Sequence, residues 1–180
     1  MSSSDQATSA PGIKTAFPPI INEHSQVLIL GSMPGDRSLD EQAYYAHPRN
    51  AFWWIMSQLI GVETQWPYAQ RLNHLQDHKI ALWDVLHRCE RPGSLDSAIV
   101  QDSVEANDFE QFLGAYPHLR ALFFNGRTVA NLFQRHVVRG RGFTPHIPCH
   151  VLPSTSPANA RMKPAQKLEQ WRGIQDYLET

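Results

Sequence analysis

The sequence is short of several things that whole classes of protein depend on. It has two cysteines, Cys89 and Cys149, in 180 residues. They lie far apart and outside any metal-ligand spacing, so they read as free thiols in a reducing cytoplasm rather than a disulfide framework. Four cysteines to hold an iron–sulfur cluster are lacking, and the histidines do not fall at metal-ligand spacing. No metal or cofactor is expected. No apolar run approaches the length needed to cross a membrane. Basic residues are not in excess: 16 Lys and Arg against 17 Asp and Glu give a formal net charge of −1. That balance excludes a chain that is basic all over, but leaves room for a local positive groove. There is no Gly-x-Ser-x-Gly elbow of the kind hydrolases use, no internal repeat and no linker composition.

What remains is a globular composition. Hydrophobic residues make up 42% and charged residues 18%, and the length suits one domain with a single sizeable core. The opening MSSSDQATSAPG lacks the basic and apolar regions of a secretory signal. Residues 1–18 are expected to be a disordered polar tail, and 19–180 a single α/β domain.

Apolar runs alternate with helical patterns. Val27–Leu30, Ile80–Leu86, Ala121–Phe124 and Cys149–Leu152 read as buried strands. Phe52–Ile60 has helical spacing and ends at Gly61. Tyr68–Leu75, Val104–Leu113 (with Asp102 or Ser103 as cap), Thr128–Gln134 and Ala165–Leu178 also read as helices. This alternation predicts a three-layer α/β/α sandwich around a central, mostly parallel four-stranded sheet. In such sheets the site lies beyond the carboxyl ends of the strands. The polar signals gather there: Gly31–Gly35, Asp84–Arg88, Asn125–Arg127 and Pro153–Asn159.

The most informative stretch is Gly31–Trp53, GSMPGDRSLDEQAYYAHPRNAFW. Its glycines let backbone approach a ligand closely. Tyr44, Tyr45 and Phe52 offer flat faces for stacking, while His47 and Asn50 offer polar tips. The inventory suits a planar, flipped-out base. Asn50 is equally suited to capping the helix that begins at Phe52. Asp84 closes an apolar strand, where a carboxylate is costly unless satisfied; capping or pairing with Arg88 or Arg91 is the alternative to ligand binding. Asp36 reads as a solvated turn residue.

The order GSMPG, then YYAHPRNAFW, then LPSTSPANA resembles the uracil-DNA glycosylase superfamily, and within it the hypoxanthine-DNA glycosylase branch. The likeness runs from the first strand to the last helix. It implies a DNA repair enzyme that extrudes a deaminated base, hypoxanthine or else uracil or xanthine, and hydrolyses its N-glycosidic bond. Met33 stands where superfamily members usually carry a catalytic Asp or Asn, and Leu152 where many carry a His or Asn at the late motif. The branch it resembles is thought to use the Asn of its PRN motif, which implies a catalytic role for Asn50.

By the same resemblance, Tyr45, Phe52, Asp84, Gly31, Ser32, Met33 and Pro34 would hold the base. Gly35, His47, Ser154, Thr155, Ser156 and Asn159 would hold the DNA backbone. Asp84 matches the position that reads the base's Watson–Crick edge. With no lysine in these motifs to act as an amine nucleophile, an abasic site without strand cleavage is expected. The implied setting is a monomer on DNA containing a deaminated base, away from any membrane, in the cytoplasm at a bacterial nucleoid. A catalytically inactive base-binding module on the same scaffold is the alternative, motivated by Met33 and the neutral charge.

Overall fold

A computed structural model describes residues 12–179. Its centre is a four-stranded sheet built from the four apolar runs. Strand β1 (Ile13–Thr15) precedes β2 (Val27–Gly31). Helices α1 (Asp36–Glu41), α2 (Phe52–Ile60) and α3 (Tyr68–Asp77) lead to β3 (Ile80–Asp84). Then come β4 (Leu86–Glu90), β5 (Glu105–Ala106) and α4 (Phe109–Ala115). Strand β6 (Ala121–Asn125), α5 (Arg127–Phe133), β7 (Cys149–Leu152) and α6 (Pro164–Trp171) complete the order.

The main sheet runs β3-β2-β6-β7, with all three pairings parallel. β-Strand side chains alternate between faces, and the core divides accordingly. Leu28, Leu30, Ala81, Trp83, Leu122 and Phe124 pack toward α4 and α5. Val27, Ile29, Ile80, Leu82, Ala121 and Phe123 pack toward α2, α3 and α6. Both faces are therefore covered, as continuous apolar strands require. The chain leaving β2 passes to the α2 face, whereas that leaving β6 passes to the α5 face. A crevice opens where neighbouring strands part in this way.

Several expectations change. A second, antiparallel sheet, β1-β4-β5, lies beside the first. Ile80–Leu86 is therefore not one strand: it ends at Asp84, and Leu86 begins the strand of the other sheet. Part of the expected tail is ordered, because Ile13–Thr15 pairs with Thr15 opposite Arg88 and Ile13 opposite Glu90; residues 1–11 lie outside the described residues.

The helix expected over Val104–Leu113 starts later. Residues Glu105–Ala106 pair with β4, and the Asp108 side chain accepts from Gln111 N–H at 3.1 Å, so the helix begins at Phe109. Asp102 and Ser103 belong instead to a short 3₁₀ turn, Gln101–Ser103. Helix α5 widens into a π-helical segment at Gln134–Arg139, and α6 tightens into a 3₁₀ segment at Arg172–Tyr177.

Candidate active site

Gly31, Asp84, Asn125 and Leu152 are the last residues of the four parallel strands. Above them lies a cleft of about 860 Å³, lined by the segments after β2 and β6, the 94–97 loop and the late Ser154–Asn159 loop. The structure thus brings together the separate polar signals in the sequence.

Asp84 forms the floor. It is 4% exposed, and its Oδ2 is buried without a hydrogen-bond partner. Its main-chain carbonyl accepts from the Asn107 side chain at 2.8 Å, which anchors the strand end. Burial, followed by the nearby Asp96 charge, raises the carboxyl pKa to about 7, against the opposing pull of Arg91. Near neutral pH the group is therefore divided between an acceptor-only carboxylate and a neutral acid that can also donate. Gly31 makes the approach possible: a β-carbon there would stand 2.6 Å from Asp84 Oδ1.

Arg91, which the sequence offered only as a partner for Asp84, is fully buried. Its guanidinium donates to the carbonyls of Gly93 at 2.9 Å, Met33 at 3.3 Å and Pro34 at 2.6 Å. The planar fork thereby fixes how the peptide groups of the first motif face. Ser32 O–H donates to Asp96 Oδ1 at 2.6 Å, tying the same motif to the 94–97 loop. Burial raises the Asp96 carboxyl pKa, with Ser32 and Arg91 opposing it. Met33 and Pro34 are buried against these contacts while bordering the cleft. Asp36 sits at the exposed start of α1 and is paired with Lys14, which holds its carboxyl below the usual range.

The two tyrosines separate in role. Tyr44 is 4% exposed, and its hydroxyl donates to Pro18 O at 3.0 Å. It belongs to the core. Tyr45 lines the cleft and lies stacked on Phe52, with ring centroids 4.0 Å apart and planes 21° apart. Tyr45 reaches this position through φ = 56°, a left-handed conformation uncommon for an aromatic residue. Burial, then the Asp84 charge, raises its hydroxyl pKa. Phe52 is 0% exposed and sits beneath Tyr45, not against the cleft. The expectation that Phe52 meets the base directly is corrected: the Tyr45 ring covers it.

Asn50 borders the cleft just before α2, and its Oδ1 accepts from Phe52 N–H at 3.0 Å. The N-cap position of α2 is Ala51, so Asn50 does not cap the helix as the sequence allowed; its side chain closes a turn onto the first helical residue while bordering the cleft. An amide oxygen has two lone pairs, so one remains for a further donor. His47 Nδ1 accepts from Arg49 N–H at 3.1 Å, which leaves the proton of the neutral ring on Nε2. Both residues line the cleft.

The late loop is braced from within. Thr155 is 1% exposed. Its N–H donates to Asn125 Oδ1 and its Oγ1 accepts from Asn125 Nδ2, both at 2.9 Å. Its carbonyl accepts from Ala51 N–H at 3.0 Å. Thr155 borders the cleft but is nearly fully buried, with its hydroxyl oxygen held by Asn125, so it braces the loop from within where the sequence suggested an outward phosphate contact. Ser154, Ser156 and Asn159 remain at the cleft edge. There Ser154 Oγ accepts from Ser156 N–H at 3.2 Å, and Asn159 Nδ2 donates to Ser154 O at 3.2 Å. Gly35 abuts Ser94 on the other side of the opening.

No motif announced the Arg91 clamp or the Asp96–Ser32 bond, which join segments about sixty residues apart, nor the left-handed backbone of Tyr45.

A parallel sheet covered on both faces, with a cleft at its carboxyl edge, defines an α/β protein with its candidate site beyond the strand ends. The sequence model of the "Uracil DNA glycosylase superfamily" matches residues 18–175, and the chain belongs to that superfamily. It is 37% identical over 163 residues to a protein named hypoxanthine DNA glycosylase from Methanosarcina acetivorans, covering 90% of this chain and 98% of that protein. A hypoxanthine DNA glycosylase from Methanosarcina barkeri is 37% identical over 155 residues, covering 86% and 93%. Among solved structures, the chain resembles a putative uracil DNA glycosylase from Methanosarcina acetivorans. The TM-score is 0.71 at 35% identity, with 91% of this chain and 99% of that chain covered. No helix among the described residues is long and apolar enough to cross a membrane.

Proposed function

We propose that this chain is a DNA repair glycosylase that takes an extruded deaminated base, hypoxanthine before uracil or xanthine, into the cleft and hydrolyses its N-glycosidic bond. The observation that carries this reading is the joint placement of Asn50, Tyr45 and Asp84 around one cleft. The names of the two Methanosarcina relatives point to the same base.

Bases are inaccessible inside a duplex, so the target nucleotide must leave the stack. Tyr45, backed by Phe52, supplies the stacking face. Asp84 supplies the edge contact. Hypoxanthine presents a ring N–H beside a carbonyl, and a neutral carboxyl group both accepts from the first and donates to the second. The ionised form only accepts and would oppose the carbonyl oxygen.

Cleavage breaks the bond between C1′ and the base nitrogen, and the electron pair leaves with the base. The sugar becomes cation-like. Asn50 Oδ1 accepts a hydrogen bond from water and holds its oxygen toward C1′, where it adds. The water's second proton passes to solvent, and the departing base takes one proton from solvent in exchange. Donation from Asp84 stabilises the charge developing on the base, a form of electrostatic catalysis that acts most strongly in the transition state. Met33 has no part in water chemistry. His47 Nε2–H, Ser154, Ser156 and Asn159 would hold phosphates, which position the strand without reading sequence. The product is an abasic site in an unbroken strand. The enzyme works as a monomer on DNA in the cytoplasm.

The test is incubation with duplexes carrying one deoxyinosine or one deoxyuridine, followed by alkali to cut abasic sites. Alkali-labile product from deoxyinosine is expected, with Asn50→Ala slower by roughly 10²–10³-fold. Absence of product from either substrate refutes the proposal. Tight binding without turnover would indicate the inactive binding module instead.

A further inference from the structure

The two edges of the main sheet differ. At β3 the edge is covered: Ile20 and Leu82 form an antiparallel bridge, each N–H donating to the other's carbonyl at 2.9 Å. At the other edge stands β7, and no strand of the sheet follows it. Leu122 N–H donates to Pro148 O and Gly126 N–H to Leu152 O, both at 2.9 Å. Main-chain groups alternate in direction along a strand. His150 and Leu152 therefore face β6, while Cys149 and Val151 turn their N–H and C=O groups outward.

An open strand edge invites pairing, and soluble proteins ordinarily cover it or charge it. At this edge Val151 is instead an exposed large apolar side chain, at 42%. A groove of about 410 Å³ adjoins it. Val151, Pro153 and Met162 give the groove apolar walls, and Arg127 gives it a cation. The one carboxyl group in its lining, on Asp96, has its Oδ1 bonded to Ser32 O–H.

The surrounding chain has a charge of its own. All 17 Asp and Glu lie outside residues 111–168, a segment that holds half of the 16 Lys and Arg. The near-neutral total thus conceals a strongly basic segment, which builds β6, α5, β7 and the start of α6. Arg127 is exposed beside the groove, and so are Arg161 and Lys163 on either side of Met162.

Two copies of such an edge repel each other, which disfavours self-pairing. An extended segment carrying Asp or Glu complements it. Nucleic acid is complementary in charge too, but has no peptide groups with which to continue the sheet.

We propose that the β7 edge docks an extended acidic segment of a partner protein, which joins the sheet as an added strand. Its main chain pairs with Cys149 and Val151, an apolar side chain rests on Val151 in the groove, and its carboxylates meet Arg127, Arg161 and Lys163. Ser154 and Asn159 line both the groove and the cleft, so the docked partner stands beside the candidate active site. The proposal does not depend on the glycosylase reading.

The test uses the full chain and a set of eight-residue peptides in which Asp or Glu alternates with Val, Ile or Phe. Amide chemical shifts and hydrogen exchange follow binding. At least one peptide is expected to bind, to slow exchange at the Cys149 and Val151 amides, and to bind several-fold more weakly to Arg127→Ala. Val151→Glu, at a position already exposed, is expected to abolish binding without moving the urea midpoint. Val151→Pro is the second variant: it removes an outward donor that the sheet does not use, and is expected to abolish binding as well. Failure of every peptide to bind at millimolar concentration overturns the proposal. So does binding that leaves the two amides unchanged or survives both Val151 variants. Protection of the same amides by raising the protein concentration alone, or by a DNA duplex and no peptide, assigns the edge to a second copy or to nucleic acid and overturns it too.

Discussion

Gly31 and Asp84 meet so closely that no side chain fits between them: a β-carbon on residue 31 would stand 2.6 Å from Asp84 Oδ1. Gly31→Ala must therefore displace the carboxyl group or the strand end. A loss of roughly 1–3 kcal/mol in folding stability is expected from overpacking. Single-turnover cleavage of deoxyinosine is expected to fall further than that loss explains, because the edge contact shifts. Denaturant unfolding and rapid-quench kinetics on the same preparation check both.

Asp84 gives a pH signature with a definite sign. Its pKa rises from an ordinary 3.8 to about 7. Between those values the folded state keeps a proton that the unfolded chain has lost. Linkage then requires stability to fall as pH rises through that window, by on the order of 4 kcal/mol in total, and to level off above it. Asp84→Asn has no such proton, so its unfolding free energy, followed by urea melts from pH 4 to 8, lacks this decline. On the proposed function, activity is expected to follow the same group. The parent is expected to slow on deoxyinosine above pH 7 as the donor ionises, whereas the Asn variant holds a level rate.

Arg91 is buried with its donors committed to the carbonyls of Gly93, Met33 and Pro34. Arg91→Met takes the donor from the Met33 and Pro34 carbonyls, while Gly93 O keeps Lys14, and removes the cation that opposes the pKa rise at Asp84 and Asp96. A destabilisation of about 3–5 kcal/mol is expected. Arg91→Lys keeps the charge but not the planar fork, so it should fall between the two. Urea midpoints at constant slope measure the order.

The Tyr45–Phe52 stack separates structure from binding. Phe52→Ala is expected to cost about 3–5 kcal/mol of stability, as a fully buried aromatic does. Tyr45→Ala should instead weaken capture of the base, by about 1–3 kcal/mol for one stacking contact. Tyr45→Phe should retain most of that capture. Fluorescence anisotropy with a non-cleavable deoxyinosine analogue reads the difference.

Much of this was legible in the residues. Continuous apolar runs gave the parallel strands, since a strand covered on both faces must be apolar throughout. The helical spacing of Phe52–Ile60 matched α2 at both ends. Asn50 and Asp84 stood out because polar groups at those places need a reason. The small antiparallel sheet did not stand out. Ile13–Thr15 is too short for a pattern, and Leu86 continues the apolar run from Ile80 although the chain enters a different sheet there. The order of the Tyr45–Phe52 stack depends on one backbone angle, which no composition records. Thr155 looked outward-facing because its neighbours are polar; its burial comes from Asn125, thirty residues away.

The single hydrogen bond from Ala51 N–H to Thr155 O has a consequence for how the enzyme comes into being. It joins the residue after Asn50 to a loop formed only once the last parallel strand is in place. The Asn50 amide therefore acquires its final setting only when the last strand and the loop after it are in place. The sheet itself needs β6 and β7 from the second half of the chain, and both core clusters draw on both halves. Reactivity toward DNA arrives with the C-terminal third, so an incomplete chain has no finished site with which to damage the genome it serves.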